Sequence, residues 1–123
     1  MLTGSCLCKG IRFTVSGPVQ GPSVCHCTHC RKLSGFAWSS AYAPATAIEI
    51  NGDVRWFASS TTAERGICPT CGAFLFWKAH DEDTMSFALG AIDGPTGLTL
   101  EKHIFTDTKG DYYQIADGLP QKP

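Results

Sequence analysis

Cys25-His26-Cys27-Thr28-His29-Cys30 places three thiols within one six-residue stretch. One tight turn there can aim all three sulfurs at a single point, which is the geometry a soft divalent cation needs. No fourth ligand is obvious beside it. Working outward, Cys6-Leu7-Cys8 near the amino terminus and Cys68-Pro69-Thr70-Cys71 past mid-chain supply two further pairs, a complete set of four thiolates. The cysteines therefore divide as four plus three. A closed set of four thiolates is the structural form of protein zinc, whereas three protein ligands leave a position for water or substrate, the catalytic form.

Disulfides are the competing explanation for so many thiols. An odd count of 7, the tight CxC and CxxC spacings and the lack of an export signal favour metal in a reducing compartment. The chain has 123 residues, 43% of them hydrophobic, which suits a single domain over residues 1–123 with a small core that a metal clamp would support. A formal charge of −1 without any basic run argues against nucleic acid as a partner. Two zinc ions held by seven thiolates would take that charge to about −4, because bound thiols are deprotonated. The sequence contains no apolar run of roughly 18 residues and no signal-peptide pattern. The expectation is a soluble, cytoplasmic protein that does not engage a membrane.

The rest of the chain reads as short strands between turn residues. Ile11, Phe13 and Val15 alternate with polar residues, a period of two that belongs to a half-buried strand ended by Gly17-Pro18. Thr28 to Leu33 should form one or two turns of helix, capped by Thr28 and stopped at Ser34-Gly35. Residues 36–43 have strand composition, and residues 48–50 and 54–58 read as a hairpin about Asn51-Gly52-Asp53. A second hairpin should join residues 73–77 to residues 85–89 across His80-Asp81-Glu82-Asp83. Residues 63–67 read as a connection, residues 101–105 as a last strand, and the tail from Gly118 as extended or frayed. Tyr112 and Tyr113 should cover one end of the sheet. Trp38, Trp56, Trp77 and Phe74 are expected in the core. The sum is an all-β fold of small packed antiparallel sheets, clamped by the four-cysteine zinc site.

Three motifs occur in one order: Gly4-Ser5-Cys6-Leu7-Cys8, then Cys25-His26-Cys27-Thr28-His29-Cys30-Arg31-Lys32-Leu33-Ser34-Gly35, then Cys68-Pro69-Thr70-Cys71-Gly72. Together with His103-Ile104-Phe105 and Asp117-Gly118-Leu119-Pro120, this order resembles the glutathione-dependent formaldehyde-activating enzyme family, also called the centromere-protein-V-like domain. The resemblance implies a tent-like zinc fold with a structural zinc on Cys6, Cys8, Cys68 and Cys71 and a second, catalytic zinc on Cys25, Cys27 and Cys30. It implies a carbon–sulfur lyase activity, the joining of formaldehyde to glutathione as S-(hydroxymethyl)glutathione or its reverse. The partners would be a small thiol such as glutathione and a small aldehyde, and the cofactor two zinc ions per chain. A site of three ligands should lose its zinc more readily than one of four, which would leave the second site partly occupied. Lys9, Ala73 and Tyr112 depart from residues common in the family at those positions. None of them is a cysteine.

Three thiolates make a weaker Lewis acid of zinc than three histidines do, so capture of a substrate thiol suits Cys25, Cys27 and Cys30 better than generation of hydroxide. The alternative is a second structural zinc completed by His26, His29, His80 or His103, in a zinc-stabilised protein-binding module without catalysis. His26 and His29 alternate with the ligands and should point away from the metal. Arg31 and Lys32, directly after the third thiol, are cations that could meet a carboxylate, although solvated surface charge is the preferred reading for both. A dithiol redox role for Cys68 and Cys71 lacks the thioredoxin-like pattern around it.

Overall fold

The computed structural model describes residues 1–123. Strands β1 (Leu2–Ser5), β2 (Arg12–Val15) and β5 (Ile48–Asn51) form a three-stranded antiparallel sheet with β2 at its centre. A seven-stranded sheet contains β3 (Gln20–Cys25), β4 (Trp38–Pro44), β6 (Arg55–Phe57), β7 (Ala63–Ile67), β8 (Phe74–Ala79), β9 (Thr84–Ala88) and β10 (Lys102–Ile104). Its order is β10-β3-β4-β9-β8-β7-β6, antiparallel throughout except for β10, which lies parallel to β3. One helix of 7 residues, α1 (Thr28–Ser34), follows β3 directly. The fold is all-β, and no helix is long and apolar enough to cross a membrane.

The period of two along the large sheet separates its faces. Ala41 and Ala43 of β4, Phe76 of β8, and Met85 and Phe87 of β9 pack with Phe13, Val15 and Ile48 of the small sheet. Phe13 meets the edge of Phe76 with ring centroids 5.0 Å apart. Residues one step out of phase, among them Ser23, Ser40, Tyr42, Arg65, Trp77 and Ser86, line a cavity on the opposite face. The same pleat that fills the core thus builds the cavity floor.

The hairpin expected about Asn51-Gly52-Asp53 does not form. β5 pairs with β2 in the small sheet, while β6 pairs with β7 at the far edge of the large one. Burial decides the place of β5, where Ile48 lies opposite Val15 in the core; β6 is exposed, with Trp56 6.1 Å from Phe76. The second expected hairpin does form, with Phe76 opposite Phe87 and Trp77 opposite Ser86. Residues 63–67, read as a connection, are strand β7. β3 was hidden by Gly21-Pro22, and the ladder accommodates this pair through a register shift between Gln20 and Ser23.

The tail is extended but bonded. Lys122 donates its N–H to the carbonyl of His103 at 2.9 Å, and Pro120 accepts from His103 at 2.9 Å, which covers the β10 edge of the sheet.

Candidate functional site

The four-cysteine cluster sits where the two sheets meet. Cys6 and Cys8 come from the turn after β1, and Cys68 and Cys71 from the turn between β7 and β8. Sulfurs around a tetrahedral zinc with bonds of about 2.3 Å lie roughly 3.8 Å apart. Here Cys6 Sγ is 3.5 Å from Cys8 Sγ, which is 3.7 Å from Cys68 Sγ, so the donor set fits such an ion. Backbone N–H groups already point at the sulfurs: Ile11 donates to Cys6 Sγ at 3.3 Å and Cys71 to Cys68 Sγ at 3.4 Å. Gly72, with φ of 80°, closes the second turn in the left-handed region that glycine tolerates. The backbone N–H of Cys8, followed by that of Ala73, draws the Cys71 thiol down to about 6. The N–H of Gly10 pulls the Cys8 thiol the same way, but the thiols of Cys6 and Cys68 outweigh it and push Cys8 up to about 11.

Cys25 ends β3, Cys27 precedes α1 and Cys30 lies in its first turn. Their three sulfurs all fall within 4.8 Å of one another. The helix cap is Cys27 and not Thr28: Cys27 Sγ accepts the N–H of Cys30 at 3.3 Å. Gly35, with φ of 83°, ends the helix by donating to Arg31 O at 2.8 Å. Hydrogen bonds from Cys25 and then Cys30 hold Cys27 well below the ordinary thiol range, with the backbone N–H of Cys30 and the charge of Arg65 adding to the effect. The same hydrogen bond raises Cys25 strongly, helped by Cys30 and by burial. Within the set, Cys27 is the sulfur that ionises first. A soft divalent cation suits these three donors and would displace the remaining protons.

All three of these cysteines line the cavity, which measures about 570 Å³, and none of the other four does. Trp38 and Phe74 stack at 3.9 Å beside them, as expected of core residues. Trp77 departs from that expectation, being half-buried in the cavity wall, and so does Trp56, 38% exposed on edge strand β6. The cavity also holds a residue that motif reading passes over. Arg65, buried on β7, places Nη1 3.5 Å from Cys30 Sγ and Nη2 3.4 Å from His29 Nδ1, with its guanidinium 5.3 Å over the Phe74 ring. Only its place in the alternation of β7, out of phase with Gly66, could have marked it in the sequence. Arg31 and Lys32 lie outside the cavity, and Arg31 is spent on the carbonyl of Thr108 at 3.0 Å.

No histidine joins the three-cysteine set. His29 lines the cavity beside Arg65, and His80 is exposed. His26 is buried and lies outside both the cavity and the three-sulfur set, in keeping with its alternation with the cysteines. Tyr113 Oη donates to His26 Nδ1, His26 Nε2 donates to His103 Nδ1 at 2.9 Å, and His103 Nε2 donates to Asp117 Oδ2 at 2.7 Å. These tautomers are the ones that satisfy every group in the chain of bonds. The network fastens the tail and β10 to the back of the cysteine turn. Tyr113 covers this end of the sheet as expected, while Tyr112 remains exposed.

The chain is thus all-β, with one set of four thiols and a set of three that opens onto a cavity. The profile of the glutathione-dependent formaldehyde-activating enzyme family matches residues 1–108, and the chain belongs to that family. It is 30% identical over 119 residues to an uncharacterized lyase of Schizosaccharomyces pombe, covering 93% of this chain and 85% of that protein. The crystal structure of a Rhodobacter sphaeroides protein shares the fold, with a TM-score of 0.64 at 20% identity over 77% of this chain and 91% of that one.

Proposed function

We propose that this protein is a lyase-type enzyme acting on the bond between a thiol sulfur and an aldehyde carbon, with glutathione and formaldehyde as the substrate pair that the family name supplies. Cys25, Cys27 and Cys30 would hold a catalytic zinc, and Cys6, Cys8, Cys68 and Cys71 a structural one. The observation that carries this reading is that the three-sulfur set lines the cavity while the four-sulfur set lies outside it. Zinc held by Cys25, Cys27 and Cys30 would supply Lewis acidity to a substrate in the cavity.

In the forward direction the thiol sulfur bonds to the carbonyl carbon, the C=O pair moves onto oxygen, and the thiol proton ends on that oxygen. The reverse step breaks the carbon–sulfur bond and restores thiol and aldehyde. The cationic Arg65 beside Cys30 Sγ offsets the negative charge that three thiolates gather. Ser40, Tyr42 and Ser86, neighbours on adjacent strands, line the same cavity and would supply the hydroxyls for an aldehyde oxygen bound there. Trp38 and Trp77 keep the adjoining wall apolar.

Exchange NMR on glutathione and formaldehyde at equilibrium tests the proposal. Zinc-loaded protein should speed the exchange of the hydroxymethyl protons, and Cys27→Ser should return it to the uncatalysed rate. Equal rates with and without wild-type protein would leave the binding module as the better reading.

A further inference from the structure

His26 is the only residue between the end of β3 at Cys25 and the cap of α1 at Cys27. The helix start ties Cys27 to Cys30, since Cys27 Sγ accepts the Cys30 N–H at 3.3 Å. Where the Cys25 sulfur stands relative to that pair therefore depends on the backbone dihedrals of residue 26. No fourth protein ligand shares the task. A free residue at this position would let strand end and helix start swing apart, and gathering the sulfurs would then cost conformational entropy.

Residue 26 is not free. All of its polar groups are bonded, and every partner lies between residues 103 and 113. Its N–H donates to the carbonyl of Ile104 at 3.0 Å, and its carbonyl accepts from Thr108 Oγ1 at 3.3 Å. On the ring, Nδ1 accepts from Tyr113 Oη and Nε2 donates to His103 Nδ1 at 2.9 Å. The bond from His103 Nε2 to Asp117 keeps His103 in the tautomer that accepts. His26 is 2% exposed and lies outside the cavity, so no ligand there competes for these bonds. An apolar residue would fill this volume without the desolvation cost of an imidazole. What the histidine adds is a fixed orientation.

We infer that His26 is the positioning residue of the three-cysteine site, clamped by Ile104, Thr108, Tyr113 and His103 so that Cys25 is preorganised with Cys27 and Cys30 for a divalent cation. Loosening the clamp should speed the loss of metal from this site and spare the four-cysteine site, which shares none of these bonds. This rests on the reading of Cys25, Cys27 and Cys30 as a metal site.

Transfer of cobalt from the loaded protein to a chelator, followed by the thiolate-to-cobalt absorption, tests the inference without reference to turnover. The phase absent from Cys27→Ser belongs to the three-cysteine site. Tyr113→Phe removes one hydroxyl from the clamp and keeps the ring. It should make that phase about fivefold faster, as expected for one neutral hydrogen bond, and leave the other phase unchanged. Thr108→Val, which releases the carbonyl of His26, should act in the same direction and decides the matter should Tyr113→Phe fail to fold. Ile48→Val, in the core between the sheets, is the control: it should lower the thermal midpoint with both phases unchanged.

Equal release from wild type and the clamp variants, or equal acceleration of both phases, overturns the positioning role and leaves the metal site standing. So does an Ile48→Val protein whose three-cysteine phase is as fast as that of Tyr113→Phe, since general loosening then suffices. Wild-type protein that takes up a single cobalt per chain, all of it retained in Cys27→Ser, removes the metal site itself and the positioning role with it.

Discussion

Lys9 has φ of 64°, one of two non-glycine residues in the left-handed region. It follows Cys8 in the turn that Cys6 O and Lys9 N–H close at 3.0 Å, so the conformation is imposed by bringing two sulfurs to one point. A lysine there carries about 1–2 kcal/mol of steric cost that glycine avoids, against about 0.4–1 kcal/mol that glycine loses through a freer unfolded chain. Lys9→Gly should therefore stabilise the zinc-loaded protein by roughly 0.5–1 kcal/mol, while Lys9→Ala should gain nothing. Thermal unfolding of the three proteins checks this, and a lower midpoint for Lys9→Gly would contradict it. Single residues are legible where position is tied to spacing: the cysteines gather as four and three, and Gly35 ends α1. Spacing fails for Arg65, whose neighbours in sequence say nothing of Cys30, 35 positions away. Trp56 misled for a related reason: an aromatic ring can cover Phe76 from an edge strand and still face water.

Elements were legible where hydrogen bonds stay local. α1 and the β8–β9 hairpin follow their turn signals because cap and partner lie within a few residues. Asn51-Gly52-Asp53 gives an equally strong local signal, yet β5 is drawn to the apolar residues of β2 in the small sheet, while β6 lies exposed at the edge of the large one. The tail shows the same limit, since the bonds that hold it run to β10 and to His26 through Tyr113. This attachment has a pH signature. The hydrogen bond from His103, with the N–H of Leu119 adding to it, holds the Asp117 carboxyl below its ordinary 3.8. The folded state then binds this proton less readily than the unfolded chain, so the contribution is present above 3.8 and is lost as pH falls through the folded value. Asp117→Asn, which keeps the shape and removes the charge, should lower the unfolding midpoint by a constant amount from neutral pH down to about pH 5. That gap should close only as pH drops below 3.8. A gap that closes between pH 7 and 5 would place the effect on another group.

At the scale of the whole molecule, the two cysteine sets differ in how much chain they close. Cys8 and Cys68 are 60 positions apart, and their cluster ties the turn after β1, on the small sheet, to the turn between β7 and β8, on the large one. Cross-linking a loop of that length is worth on the order of 4 kcal/mol of chain entropy in the unfolded state, a large part of the roughly 5–15 kcal/mol that holds a domain folded. The set of Cys25, Cys27 and Cys30 closes a single turn, and the packing of Phe13 between the sheets does not pass through it. Cys27 also caps α1, but serine is as good a cap, so Cys27→Ser removes one sulfur of the proposed zinc site and keeps the helix start. We therefore expect Cys71→Ser to lose the β-sheet circular dichroism and retain little metal. Cys27→Ser should keep the wild-type spectrum and one zinc per chain by metal analysis. Cys27→Ser unfolding as completely as Cys71→Ser would show that the three-cysteine turn, and not the clamp between the sheets, carries the stability of the fold.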